Sequence, residues 1–144
     1  MHISSKCSVA VHCLIFIYEY GETKKVTSEL LSLSTGCNPV TIRNILSALK
    51  RDSIISIKFG TGGASVDIPP DEITLYRICK AVEPDFESKL IGVHALPSPL
   101  CPVGKNIHRV LKGSYQKVLD ELSESMKKIT MEQILADYHK SLSD

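Results

Sequence analysis

Residues 35–68 read TGCNPVTIRNILSALKRDSIISIKFGTGGASVDI, a polar turn, an amphipathic helix and a hairpin in direct succession. Asn38 is a residue type that caps helices by accepting hydrogen bonds from backbone N–H groups. Pro39 suits the first helical position because it has no N–H to leave unsatisfied. The sequence therefore predicts a helix that begins at Pro39.

This predicted helix has one apolar face and one polar face. The apolar residues recur at the spacing of a single helical face and must point into a core; they are Ile42, Ile45, Leu46 and Leu49. The opposite face is polar and basic: Val40, Arg43, Asn44, Ser47 and Arg51, flanked by Thr41 and Lys50. Arginine and asparagine match guanine and adenine edges in the major groove of DNA. An ordinary solvated surface is the competing interpretation of this face.

Two β-prone runs follow the helix. Residues 54–59 and 64–68 are joined through Gly60-Thr61-Gly62-Gly63, which predicts a hairpin with a glycine-rich tip. A phosphate-binding nucleotide loop would instead join a strand to a helix and carry a Lys-Ser or Lys-Thr pair, and neither feature is present. Helix, turn, helix and hairpin is the order of a winged helix-turn-helix.

The preceding segment supplies the other helices of that motif. Ser4 or Ser5 can cap a first helix that ends before Gly21, and Thr27 can cap a short second helix that ends near Ser34. Two helices joined by a tight glycine-containing turn are typical of DNA-binding proteins in which the second helix enters the groove.

Composition bounds the size and the charge of the molecule. The chain has 144 residues, 43% of them hydrophobic, which predicts one compact domain with an extension. Its net charge is only +1, so any basic patch must be local. The residues that can form one are Lys24, Lys25, Arg43, Lys50, Arg51 and Lys58.

Neither a membrane segment nor a disulfide framework is expected. The apolar run at residues 9–17 is too short to span a bilayer and has no small-residue cleavage site after it. The five cysteines form no C-x-x-C pair, which favours reduced thiols and argues against a zinc site. We expect a soluble cytoplasmic protein without a bound metal.

The segment after the hairpin divides into a helix and a proline-rich stretch. Thr74 can cap a helix that runs through Glu83, and residues 84–104 contain four prolines and read as a linker. His94 and Cys101 lie within that linker. A thiolate and an imidazole can bind metal or sense oxidants, although simple packing against neighbouring helices explains both residues as well.

A long amphipathic helix is predicted towards the C-terminus. Its apolar residues alternate at spacings of four and three: Ile107, Leu111, Tyr115, Val118, Leu122, Met126 and Ile129. The helix is too long for the small core, so we expect it to pair with a second copy or with another protomer's domain. Thr130 to Gln133 resembles a capping box that opens a last short helix. The predicted organisation is 1–83 winged helix-turn-helix, 84–104 linker and 105–144 dimerisation helices.

The sequence resembles the Rrf2 family of bacterial winged-helix transcription regulators along essentially its whole length. The resemblance is carried by Ile3-Ser4-Ser5-Lys6, Asn38-Pro39-Val40-Thr41-Ile42-Arg43, Gly60-Thr61-Gly62-Gly63, Ile73-Thr74-Leu75 and Ala81-Val82-Glu83. The later His94-x-x-Pro97 and Cys101-Pro102-Val103-Gly104 resemble a branch of the family without a cluster. The resemblance implies a homodimer formed through the long C-terminal helix, with two winged helices on a palindromic operator.

The same resemblance assigns DNA-reading positions and a cofactor expectation. It implies that Asn38, Thr41, Arg43 and Asn44, with Thr61 and Gly62 at the wing tip, face double-stranded DNA. Many members have arginine where Phe59 stands here. Cluster-binding members carry three cysteines after the Ala-Val-Glu helix, whereas this chain has only Cys101 there, so we expect no iron–sulfur cluster.

The sequence thus predicts a mainly α protein with a small β-hairpin wing that acts as a sequence-specific DNA-binding regulator, a repressor in this interpretation. The expected DNA contacts are Lys6, Asn38, Val40, Thr41, Arg43, Asn44, Ser47, Lys50, Arg51, Lys58, Thr61 and Gly62. The alternatives are a protein-interaction adaptor and a thiol-based regulator that senses oxidants through Cys101 or Cys37. No catalytic constellation can be assembled from motif spacing, and the sequence does not identify an effector.

Overall fold

The computed structural model describes residues 4–58, 60 and 63–144, and it has the predicted class, mainly helical with a two-stranded antiparallel sheet. The helices are α1 (Lys6–Tyr20), α2 (Ser28–Thr35), α3 (Pro39–Arg51), α4 (Leu75–Val82), α5 (Phe86–Leu90), α6 (Pro102–Lys127) and α7 (Met131–Ser141). The strands are β1 (Ser56–Lys58) and β2 (Gly63–Ser65), and a 3-10 turn spans Pro70–Glu72.

Helix α1 is the central packing element of the N-terminal domain. Its residues Ala10, Cys13 and Leu14 are completely buried, and it contacts α2, α3 and α4. Gly21 follows its last turn, as predicted, and its N–H donates to the carbonyl oxygen of Ile17. Helix α1 therefore forms the base on which the helix-turn-helix rests.

Local side-chain caps set the ends of α2 and α3. The Thr27 hydroxyl accepts a hydrogen bond from the N–H of Leu30 at 3.2 Å, and Gly36 ends α2 in the left-handed conformation with φ +73°. The Asn38 side chain accepts from the N–H of Val40 at 2.7 Å, with Pro39 next to it in the first turn. Both caps match the sequence prediction.

The hairpin is shorter than the two β-prone runs. Its strands pair over three residues each, from Ser56 with Ser65 to Lys58 with Gly63. Ile54 and Ile55 are buried in the core before the first strand begins, so burial rather than strand pairing explains their apolar character. The N–H of Ala64 donates to the carbonyl oxygen of Val26 at 3.0 Å, which ties the hairpin to the segment that leads into α2.

The predicted linker is partly helical. Helix α5 lies within it, because Phe86 and Leu90 are one turn apart and both enter the core. Helix α6 begins at Pro102 rather than after 104, with proline in its first turn. The irregular connection is therefore limited to residues 91–101.

Helix α7 packs against the N-terminal domain of its own subunit. It was predicted to belong to the dimerisation helices of residues 105–144. Met131 is completely buried and its N–H donates to the carbonyl oxygen of Ile73, while the N–H of Leu75 donates to that of Ile129, each at 2.8 Å. Thr130 and Gln133 form the predicted capping box. Paired backbone groups and a buried side chain thus fix α7 in its own subunit.

Helix α6 is exposed along much of its length. Its 26 residues span about 39 Å, and none of them is buried. Leu119, Leu122 and Met126 in its C-terminal part pack against the core, whereas Val103 and Val110 nearer its start are 70% and 65% exposed. Among the described residues no helix is both long enough and apolar enough to cross a membrane.

Candidate nucleic-acid interface

Helix α3 presents its polar face to solvent and its apolar face to the core. Ile42 and Leu49 are completely buried and Ile45 and Leu46 nearly so. The residues predicted to face outward are all exposed: Val40, Thr41, Arg43, Asn44, Ser47, Lys50 and Arg51. The exposed face is therefore available to a partner, and the rigid packing behind it fixes its direction.

Asn38 caps α3, whether or not it also contacts DNA. Its side-chain carbonyl oxygen is the cap of α3, so only its amide NH2 group remains to donate to a phosphate or a base. We conclude that Asn38 positions the exposed face of α3 as well as bordering it.

Arg43 has a carboxylate beside it. Its guanidinium lies 3.9 Å from the carboxylate of Glu29 on α2, and both side chains are more than half exposed. The pKa of the Glu29 carboxyl is lowered chiefly by its own backbone N–H and by the Ser28 hydroxyl, with a smaller contribution from Arg43. The charge of Arg43 is thus partly balanced within the chain.

A groove of about 380 Å³ separates the start of α2 from α3 and the hairpin. Its polar lining has three basic residues and one acidic residue: Lys25, Thr27, Ser28, Glu29, Arg43, Ser47 and Lys58. The ammonium group of Lys25 donates to the carbonyl oxygen of Gly60 across this groove. Helix N-termini and lysine side chains favour phosphate oxygens, so the groove suits a nucleic-acid backbone.

Lys25 was predicted only as a member of a local basic patch, and Ser28 was not predicted as a contact residue. The sequence signal that could have found them is the Thr27 cap, because a capped N-terminus next to a recognition helix faces the same partner. The groove therefore adds the lead-in to α2 to the candidate interface.

Not all predicted contacts lie in this groove. Lys6 is close enough to Asp85 for its charge to help Lys89 lower the pKa of that carboxyl, which places Lys6 beside the start of α5. Lys58 is exposed at the end of β1 and does line the groove. Thr61 and Gly62 lie outside the described residues, as does Phe59.

The C-terminal end of α3 is tied to α4. The guanidinium of Arg77 donates to the Asp52 carboxylate at 3.3 Å and to the Asp52 carbonyl oxygen at 3.0 Å. Two hydrogen bonds from one side chain restrict rotation of the helix end more than a single ion pair would. Lys50 and Arg51 are thereby presented from an anchored turn.

The predicted dimer-interface residues fall into two groups along α6. Leu122 and Met126 pack against the core of their own subunit. Ile107, Leu111 and Tyr115 are half-buried, and Val118 is 52% exposed. The part of α6 that leaves the larger apolar surface uncovered in its own subunit is therefore residues 103–118.

The candidate sensor residues are not grouped as expected. Nε2 of His108 donates to the carbonyl oxygen of His94 at 2.7 Å, and the two rings lie 5.5 Å apart, so the partner of His94 is another histidine. Cys101 is exposed at the start of α6, where the backbone N–H groups of Gly104 and Val103 lower the pKa of its thiol. Cys37 is half-buried in the turn before α3.

The five cysteines are spread over four places in the chain. Cys101 is the one cysteine near the start of α6, while the other four lie in α1, in the turn before α3 and in α4. Within residues 4–58, 60 and 63–144 no group of three or more potential ligands could hold a metal ion.

The chain is similar to known proteins along nearly its whole length. The Rrf2 family model, described as "Iron-dependent Transcriptional regulator", matches residues 3–137. The protein named "Putative HTH-type transcriptional regulator YwnA" of Bacillus subtilis (strain 168) is 38% identical over 142 residues, covering 99% of this chain and 95% of that protein.

Two solved structures share the fold at low identity. IscR of T. potens is 15% identical with a TM-score of 0.71, covering 98% of this chain and 90% of that one. CymR (YrzC), described as the global cysteine regulator of B. subtilis, is 15% identical with a TM-score of 0.67, covering 94% of this chain and 97% of that one.

Proposed function

The chain belongs to the Rrf2 family of transcriptional regulators, and on that premise we propose that it binds a palindromic operator as a homodimer and represses transcription. The observation that carries the proposal is the exposed face of α3, where Arg43 and Asn44 stand on a helix whose opposite side is buried. Such a regulator acts in the bacterial cytoplasm, on double-stranded DNA.

Base reading and backbone binding are assigned to different residues. Arg43, Asn44 and Thr41 are at the centre of the exposed face and have the donors and acceptors that discriminate base pairs. Lys25, Ser28 and Lys58 line the adjoining groove and bind phosphates without reading sequence. Specificity then comes from α3, and the salt-dependent part of the affinity comes from the groove.

A second copy of the chain covers residues 103–118 of α6. Leu111, Tyr115 and Val118 lie on one stripe of this helix, and Val110 widens it. A two-fold axis through paired α6 helices would present two α3 helices to successive major grooves, roughly 34–36 Å apart. The operator would accordingly be a palindrome with half-sites about one helical turn apart.

We propose further that this operator binding needs no iron–sulfur cluster. The support is the placement of the five thiols, of which only Cys101 lies at the start of α6. Operator affinity of protein prepared anaerobically should equal that of protein treated with an iron chelator. A loss of specific binding after chelation would contradict this part of the proposal.

Selection of bound duplexes from a random DNA pool tests the function directly. We expect the enriched duplex to be palindromic and to be bound by a dimer. Its affinity should fall steeply as salt is raised, because cations are released from each contacted phosphate. The adaptor alternative predicts that no duplex is enriched at any salt concentration, and that result would overturn the proposal. Repression is then checked with a reporter gene placed behind the selected operator.

Cys101 offers a second mode of regulation for the same protein. It is exposed, and the backbone N–H groups of Gly104 and Val103 lower its pKa, which increases the thiolate fraction that reacts with oxidants. Mild peroxide should therefore change operator affinity in the natural chain but not in the Cys101→Ser variant. An equal response of both proteins would exclude Cys101 as the sensor.

A further inference from the structure

Two thiols meet between α1 and α4, on elements that support α3. Cys7 lies in the first turn of α1 and Cys79 lies in α4, and both are buried, at 9% and 4% exposure. The two helices pack directly against one another, and the thiols are close enough that each is the largest single influence on the pKa of the other. Two cysteines separated by 71 residues in sequence are thus brought together by the fold.

The two thiols of this pair are not equivalent. The hydrogen bond that Cys79 donates lowers the pKa of Cys7, while burial and the Glu83 carboxylate act in the opposite direction. For Cys79 the same hydrogen bond raises the pKa, and burial adds to the effect. A nucleophilic thiol beside a protonated partner thiol is the arrangement in which one sulfur is oxidised first and the other resolves it.

The other cysteines lack one of these features. Burial raises the pKa of Cys13 to about 12, with a contribution from Cys37, so it is a poor nucleophile. Cys101 is exposed, and its pKa is lowered by backbone N–H groups rather than by another thiol. Among the five thiols, the direct contact between Cys7 and Cys79 therefore stands out.

We propose that Cys7 and Cys79 are a redox-active dithiol that a peroxide-class oxidant converts into a disulfide joining α1 to α4. The Cys7 thiolate attacks a peroxide oxygen, the O–O bond breaks, and the leaving hydroxide takes up a proton as water, which gives a sulfenic acid. The Cys79 sulfur then attacks the Cys7 sulfur, the S–O bond breaks, and the hydroxyl leaves with the Cys79 proton as a second water. Two thiols are oxidised by two electrons, and one hydrogen peroxide is reduced to two waters.

The reaction is compatible with the surroundings of the pair. Cys7 lies in the first turn of α1 and keeps 9% of its surface exposed. Its neighbours Ser5, Lys6 and Ser8 are exposed, so a small oxidant can approach Cys7 at this end of the helix. The disulfide is a property of the N-terminal fold and does not depend on whether the protein binds DNA.

Non-reducing peptide mapping of the full 144-residue chain tests this inference. Reduced protein is treated with hydrogen peroxide, free thiols are blocked with N-ethylmaleimide, and trypsin releases the peptides. We expect peptide 7–24 joined to peptide 78–80, with two fewer blocked thiols and a protein mass lower by two hydrogen atoms. Dithiothreitol should reverse all three changes.

Variants identify the sulfurs, because peptide 7–24 contains both Cys7 and Cys13. The linked peptide should persist in Cys13→Ala and disappear in Cys7→Ala. In Cys79→Ala, Cys7 should stop at a sulfenic acid that dimedone traps. The natural chain is measured as well, so a folding defect in a variant cannot account for its result. The oxidation of Cys101 reports the oxidant dose.

Three results would overturn the proposal. The first is the absence of the linked peptide at a peroxide dose that already oxidises Cys101. The second is a linked peptide that survives in Cys7→Ala, which would assign the bond to Cys13. The third is a link from peptide 7–24 to peptide 26–43 alone, which would place the bond at Cys37.

Discussion

The guanidinium of Arg43 lies 3.9 Å from the carboxylate of Glu29, so the recognition helix carries a counter-ion from the helix that precedes it. Both groups are exposed, and an exposed ion pair contributes little to stability because water and salt screen it. DNA can therefore displace Glu29 at little cost. An ion pair this weak does not prevent the Arg43 side chain from contacting another partner.

Replacing Arg43 with alanine should weaken operator binding by about 1–3 kcal/mol, or roughly 5- to 150-fold, because a bidentate contact to guanine is lost. The preference at one base pair of each half-site should relax at the same time. Competition titrations with operators changed at single positions measure both effects. An equal loss of affinity on every sequence would identify Arg43 as a phosphate contact instead.

Replacing Glu29 with glutamine should raise operator affinity by about two- to fivefold at low salt, because the variant removes the counter-ion of Arg43 and a negative charge near the phosphates. The gain should shrink as salt is raised. The matched control is Glu132→Gln, an exposed carboxylate on α7, which should leave the affinity unchanged. Weaker binding by Glu29→Gln would mean that the ion pair holds Arg43 in its reading position.

The parts of the fold that the sequence predicted are those controlled by neighbouring residues. Asn38 with Pro39, Thr74 and Thr130 each set a helix start through a side chain two or three residues from its backbone partner. Residues far apart in sequence were not predictable in this way. The burial of Met131 and the contact of Glu29 with Arg43 arise from tertiary packing, which leaves no periodic signal.

Removing the cap of α3 should lower the stability of the fold more than it weakens base recognition. Asn38→Ala should lower the free energy of unfolding by about 1 kcal/mol, since the N–H of Val40 loses its acceptor, whereas Asn38→Ser keeps a capping oxygen and should stay close to the natural chain. Urea unfolding measures the difference. If Asn38→Ser is as stable as expected but binds operator more weakly, the amide group of Asn38 also contacts DNA.

Gly63, which pairs with Lys58 next to the hairpin loop, should not tolerate a side chain. It has φ +66°, and a Cβ there would lie 2.7 Å from the backbone nitrogen of Val26, so Gly63→Ala should destabilise the fold by about 1–3 kcal/mol. Gly113 in α6 is the matched control. A Cβ there meets nothing within 4 Å, and Gly113→Ala should stabilise the helix by about 0.5–1 kcal/mol. Equal melting temperatures for the two variants would contradict the close approach of the hairpin to Val26.

Leu111→Asp should separate the proposed dimer into folded monomers. Leu111 is only half-buried in a helix that has no buried residue, so its own subunit does not need it for folding, whereas a carboxylate placed between two α6 helices would be desolvated without a partner. Sedimentation velocity should show a monomer with an unchanged circular dichroism spectrum. Operator affinity should fall at least tenfold, because one α3 then reads only half of the palindrome. Lys112→Asp, on the neighbouring exposed position, is the control and should remain dimeric. A Leu111→Asp protein that stays dimeric would show that subunits meet through another surface, and the half-site spacing would then have to be derived from that surface.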